Sequence, residues 1–215
     1  MIKLDILSDP ICPWCYIGKT HLFRTLSRRP DHPFVLEWHP YQLNYDMPAG
    51  GMDRRAYLEA KFGGREGAAK AYAPVLNAAE AAGLTIDFGA IARTPNTLDA
   101  HRLIHWAGLE AKQTPVVQAL FEGYFERGQD LGDTTVLTAI GTACGLDEDM
   151  LERLFASDAD REDIRARDAH ARERGVTGVP TFVIGGQHVV TGAQPPELWA
   201  QVIDELRAAP GEDRA

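Results

Sequence analysis

The hydrophobic pattern begins with a short apolar run, Ile2, Leu4, Ile6 and Leu7, broken by Ser8-Asp9-Pro10, which predicts a buried strand over residues 2–8. From Pro13 to about Ser27, Trp14, Ile17, His21, Leu22 and Leu26 recur at helical spacing, and Pro13 suits an early helical position because its missing N–H is not needed there. Pro30 and Pro33 close that helix, and Phe34-Val35-Leu36-Glu37-Trp38-His39-Pro40-Tyr41 reads as a second strand. Strand, helix and strand in this order form the first half of a βαβ unit.

The pattern then changes. Residues 46–56, with Pro48, Gly50 and Gly51, read as a loop, and from about Arg54 to Gly175 nearly every segment reads as helix. An Ala-rich helix over 65–82 ends at Gly83, and Thr94-Pro95-Asn96 predicts a helix start before Leu98, Leu103, Ile104 and Trp106. Thr114-Pro115 reads as a cap followed by proline at N1, with Val116, Val117, Leu120, Phe121 and Phe125 as the apolar face. Asp133 and Asp147 cap two further helices, the first stopped by Gly145. The charged run Ser157–Arg174, with Asp163–Arg167 and Asp168–Arg172 at helical spacing, reads as a solvated helix face with no active role.

After Gly175 the strand code returns. Thr181-Phe182-Val183-Ile184 and Gln187-His188-Val189-Val190-Thr191, joined by Gly185-Gly186, predict a tight hairpin, and Pro195-Pro196-Glu197 opens a last helix with Leu198, Trp199, Val202, Ile203 and Leu206 on its apolar side. Residues 208–215 read as a frayed tail. The expected fold class is therefore α/β with a discontinuous organisation. A βαβ half and a ββα half, residues 1–50 and 175–215, are interrupted by a helical segment over 51–174, too long to be a loop.

Composition narrows the classes. A net charge of -9 with no basic stripe argues against nucleic acid, and no apolar run approaches the roughly 20 residues needed to span a bilayer. The opening Met1-Ile2-Lys3-Leu4-Asp5 lacks the features of a secretory leader, so the expected compartment is the cytoplasm, with no membrane partner. Three cysteines do not make a disulfide scaffold, and in a reducing compartment a CxxC pair points to catalysis or metal binding.

That pair is Cys12-Pro13-Trp14-Cys15. Two cysteines three apart at a helix start can close a small disulfide, and the free N–H groups and dipole of the helix favour a thiolate at the first. A thiolate beside a resolving thiol is the apparatus of thiol–disulfide exchange. A structural zinc half-site and a static disulfide are the rivals, but zinc wants four ligands and only Cys144 and scattered histidines remain, so no metal is expected. Cys144 shares a helical face with Leu137 and Ile140 and reads as a packing residue. Glu37 and His39 share one face of the second strand, and either could relay the proton of the resolving thiol, although a satisfied core or edge residue is the simpler reading.

With these residues in view, the chain resembles a known family. Cys12-Pro13-Trp14-Cys15-Tyr16-Ile17-Gly18, Pro95-Asn96-Thr97 with Asp99-Ala100-His101-Arg102, and Gly178-Val179-Pro180-Thr181-Phe182 resemble the DsbA-like thioredoxin-fold proteins of the FrnE branch. That branch is related to the 2-hydroxychromene-2-carboxylate isomerases and kappa-class glutathione transferases. The resemblance covers nearly the whole chain and implies a thioredoxin fold interrupted by helices. It also implies a protein-disulfide oxidoreductase or isomerase in which Cys12 attacks and Cys15 resolves. Pro180 would be a cis-proline facing them, and Val179, Pro180, Pro13 and Trp14 would contact a disulfide- or thiol-containing protein or small molecule. His101 and Arg102 would serve capping and packing. No cofactor is expected beyond the Cys12–Cys15 pair, with glutathione a candidate co-substrate. The other readings are a glutathione-dependent isomerase or transferase, in whose family the position of Cys12 is typically serine, and a non-catalytic binding or chaperone module with a vestigial or metal-holding CxxC.

Overall fold

A computed structural model describes residues 1–208, so the expected frayed tail after Ala208 lies outside the described residues. β1 (Ile2–Ser8), α1 (Pro13–Arg28) and β2 (Phe34–Pro40) form the expected βαβ unit, with β1 and β2 parallel and Ile6 opposite Trp38. Parallel neighbours need a crossover, and α1 supplies it. Two-residue strands β3 (Met52–Asp53) and β4 (Arg93–Thr94) pair with each other around α2 (Arg54–Phe62) and α3 (Arg65–Ala81). Five helices follow: α4 (Leu98–Leu109), α5 (Gln113–Phe125), α6 (Thr134–Ala143), α7 (Glu148–Phe155) and α8 (Arg161–Glu173). β5 (Thr181–Ile184), β6 (His188–Thr191) and α9 (Pro196–Ala208) complete the chain.

The main sheet has the order β2-β1-β5-β6, with β5 antiparallel to both β1 and β6. This is a thioredoxin fold carrying a large helical insertion. The alternation along β1 divides the sheet into two faces. Leu4 and Ile6 are buried on one, in a cluster that takes in Phe182, Trp199, Leu103, Val117 and Phe121, so sheet and helices share a contiguous core. Lys3, Asp5 and Leu7 lie on the other face, where α8 packs near β2. Among the described residues no helix is long and apolar enough to cross a membrane.

Several helix ends follow the local chemistry read from the sequence. The carboxylates of Asp133 and Asp147 accept from the N–H groups of Thr135 at 2.8 Å and Met150 at 2.7 Å. Gly83 and Gly145 take φ of 73° and 90°, and the residues after them donate back to Ala79 and Gly141, closing the helix ends.

Four local expectations are corrected. α5 starts at Gln113, not after a Thr114 cap, because Trp38 claims that residue: its indole N–H donates to Thr114 Oγ1 at 3.0 Å, and the Gln113 amide brackets the Trp38 backbone. Thr94 belongs to a strand, and Asn96 instead accepts from the Leu98 N–H at the start of α4. The hairpin turn contains three residues, since Ile184 pairs with His188 and Gln187 donates to Ile184. Finally, α8 is not simply a solvated face. Asp168 is buried and accepts from the Gln42 N–H at 2.7 Å, while Arg172 reaches the Gln42 carbonyl and lies over the Tyr41 ring. The charges at i,i+4 spacing were visible in the sequence, but the segment they clamp is some 126 residues away in the chain.

Candidate active site

The chain leaves β1 at Ser8 and turns through Asp9-Pro10-Ile11, closed by the Cys12 N–H on the Asp9 carbonyl at 2.9 Å. Cys12 is the N-cap of α1, with extended φ and ψ, and its carbonyl accepts from the N–H groups of Cys15 and Tyr16. Pro13 occupies the first helical turn, where its fixed φ suits the helix and no N–H is missed. The thiol of Cys12 therefore sits at a helix N-terminus, whose dipole favours negative charge. Both cysteines are free thiols, and they are 3% and 1% exposed, so only a substrate that docks closely can reach the outer one. Trp14, between them, is exposed.

The loop before β5 closes over this pair. The Val179–Pro180 peptide is cis, and the Val179 carbonyl accepts from Cys12 Sγ at 3.6 Å. A glycine makes the approach possible: a Cβ on Gly18 would lie 3.0 Å from Pro180 Cγ and 3.2 Å from Ala193 Cα. Beside Val179 and Pro180 a groove of about 1070 Å3 opens between α8 and the sheet face that carries Lys3, Asp5 and His39.

Burial pushes the Cys15 thiol well above its ordinary range, and its hydrogen bond to Cys12 and the Cys12 charge push the same way. The Ser8 hydroxyl and the Asp9 backbone act in the opposite sense. Asp9 itself is fully buried. Loss of solvent raises its carboxyl to about 7, although the N–H groups of Leu43 and Ile11 and the hydroxyl of Thr97 all donate to it. His101 Nε2 lies 3.9 Å from Asp9 Oδ1 and has no hydrogen-bond partner among the described residues, and burial lowers the imidazole to about 4.

Asp9 and His101 were not singled out by the sequence as a pair. Asp9 stood in the break between the first strand and the CxxC helix, and an acid three residues before Cys12 was the signal available. His101 was assigned to packing, and Arg102 beside it does serve that role. Arg102 is fully buried, paired with Asp99 at 2.8 Å, and donates to the carbonyls of Leu154, Ser157 and Ala159. Glu37 and His39 lie on the sheet face opposite Leu4 and Ile6, with which Cys15 clusters. There His39 Nε2 meets Asp5 at 2.6 Å and Arg167 approaches its Nδ1, so the simpler reading of a satisfied residue holds and the relay alternative does not. The strand alternation gave the shared face but not which face turns towards the cysteines.

Asp5, Glu37 and His39 are close enough to share a metal ion. Lys3 already bridges the two carboxylates at 2.9 and 2.7 Å, which places an ammonium where a cation would be wanted. Cys144 is the C-cap of α6 and packs, partly buried, against the core.

Comparison with known proteins agrees with this geometry. Residues 3–204 match the DSBA-like thioredoxin domain. The chain belongs to that family. It is 26% identical over 209 residues to the uncharacterized protein YwbO of Bacillus subtilis (strain 168), covering 95% of this chain and 96% of the relative. Among solved structures, the probable DsbA oxidoreductase SCO1869 from Streptomyces coelicolor superimposes with a TM-score of 0.87 at 26% identity, over 100% of this chain and 94% of that one. The cytosolic disulfide reductase DsbM from Pseudomonas aeruginosa, solved with GSH, shares the fold at a TM-score of 0.69 and 19% identity, over 95% of this chain and 99% of that one.

Proposed function

We propose that this DSBA-like protein is a thiol–disulfide oxidoreductase working through Cys12 and Cys15. The observation that carries the reading is the pair of free thiols at the start of α1 with the Val179 carbonyl 3.6 Å from Cys12 Sγ. The Cys12 thiolate attacks one sulfur of a substrate disulfide, forming a Cys12–substrate disulfide and releasing the other substrate sulfur as a thiolate. Cys15, once deprotonated, attacks Cys12 Sγ and releases the second substrate thiolate. The protein ends as the Cys12–Cys15 disulfide, oxidised by two electrons, and the substrate is reduced by two. Oxidation of a substrate dithiol is the same path reversed.

The electrostatics support the order of these steps. The raised thiol of Cys15 stays protonated while Cys12 carries charge. When Cys12 enters the mixed disulfide, its charge and hydrogen bond no longer oppose ionisation of Cys15, and the departing substrate thiolate takes up the proton that Cys15 loses. In this reading Val179, Pro180, Pro13 and Trp14 contact the substrate, and a protein or small-molecule disulfide is the substrate class. Glutathione is a co-substrate in this reading, which the DsbM structure with GSH supports by fold likeness. The proposed setting is the reducing cytoplasm. The presence of both cysteines favours dithiol chemistry over a glutathione-dependent isomerase, which needs no cysteine pair of its own.

Cys12→Ser abolishes insulin-type disulfide reduction, and Cys15→Ser accumulates a mixed disulfide that mass spectrometry detects. A Cys12→Ser protein as active as the wild type would overturn the mechanism.

A further inference from the structure

Among α2, α3 and the segment before β4 lies an open pocket of about 440 Å3. Arg54 lines it and is only 7% exposed. Its guanidinium donates to the hydroxyls of Tyr124 at 3.2 Å and Tyr72 at 3.1 Å and sits 5.4 Å from the ring centroids of Tyr72 and Phe88. Among the described residues no carboxylate lies within salt-bridge distance of it, although buried charges are ordinarily paired. The two acids that line the same pocket are engaged elsewhere. Asp53 caps α2 through the Ala56 N–H, and Glu59 binds Arg55 at 2.8 Å.

Two further features draw negative charge to the same place. Arg65 lines the pocket as the first residue of α3, a helix of 17 residues. Among the described residues no side chain caps that helix, so the N–H groups of its first turn lack an acceptor from a cap. Leu58, Phe88 and Ile91 supply an apolar wall. We propose that this pocket binds a small organic anion, a carboxylate or phosphate head on an apolar body, with Arg54 as its buried counter-charge and Arg65 at the α3 N-terminus as its second anchor. The volume falls within the range of small-molecule sites, and the apolar wall distinguishes an organic anion from a bare inorganic one.

The test titrates the full chain with benzoate, phenyl phosphate, inorganic phosphate and neutral benzamide, followed by calorimetry and ligand-observed NMR. Saturable binding of benzoate or phenyl phosphate is expected, with benzamide and inorganic phosphate at least about tenfold weaker. Which of the two organic anions binds more tightly identifies the head group. Arg65→Gln, on an exposed helix end, is expected to weaken binding about tenfold while leaving the folded CD spectrum and disulfide reduction unchanged. Arg54→Met is expected to abolish binding, and its folded state is checked by the same spectrum. Absence of saturable binding by either organic anion, equal binding of benzamide, or undiminished binding by Arg65→Gln would overturn the proposal.

Discussion

Asp9 and His101 place opposite protonation demands on one buried pocket. The Asp9 carboxyl is raised from 3.8 to about 7, so the folded state holds a proton that the unfolded chain has released. Stability from this group is complete below the ordinary carboxylate value and is lost as pH rises to about 7, by about 4 kcal/mol for a fully buried group. His101 is lowered from 6.5 to about 4, so here the unfolded chain binds the proton first. Its stability is complete above 6.5 and is lost as pH falls to about 4, by about 3 kcal/mol. Between about pH 4 and 6.5 the two slopes oppose, and the wild type is expected to show a shallow dependence in denaturant unfolding. Asp9→Asn should expose the His101 slope, with stability falling towards acid, and His101→Gln should expose the Asp9 slope, with stability rising. Parallel curves for all three proteins would contradict the buried-pair account.

At the scale of elements, the proposed mechanism depends on how closely the Val179–Pro180 loop meets α1. Gly18→Ala introduces a methyl 3.0 Å from Pro180 and 3.2 Å from the Ala193 backbone, and the backbone contact cannot be relieved by a rotamer change. The expected result is a loss of about 1–3 kcal/mol in stability together with reduced disulfide turnover, because the loop moves away from Cys12. Gly141→Ala is the control: its methyl meets Leu151 and Leu103 side chains between α4, α6 and α7, and should lower stability similarly while turnover of the folded fraction is kept. Arg102 pairs with Asp99 of its own helix and joins α4 to the end of α7 and the α7–α8 connection through the carbonyls of Leu154, Ser157 and Ala159. Arg102→Met leaves these acceptors and the carboxylate without their cation and is expected to lower stability by about 3–5 kcal/mol in denaturant unfolding.

For the whole molecule, the buried cluster runs without interruption from Leu4 and Ile6 of the sheet to Leu103, Phe121 and Leu151 of the helices. Tyr16, next to Cys15, stacks on Phe121 and Phe125 of α5 at 5.1 and 5.9 Å. One cooperative thermal transition is therefore expected by calorimetry, and two separated transitions would make residues 51–174 an independently stable unit. By itself the sequence determined what depends on neighbours along the chain. The strand and helix periods, the aspartate caps, the glycine stops and the Cys12-Pro13-Trp14-Cys15 helix start all follow from local geometry and backbone hydrogen-bonding needs. Only the tertiary structure decided which face of β2 turns to the cysteines, why Thr114 does not cap its helix and how α8 clamps Gln42. It also brought Asp9 to His101 and, among the described residues, left Arg54 without a carboxylate partner. Burial and charge pairing depend on groups distant in the chain, and a local pattern carries no record of which distant group will arrive.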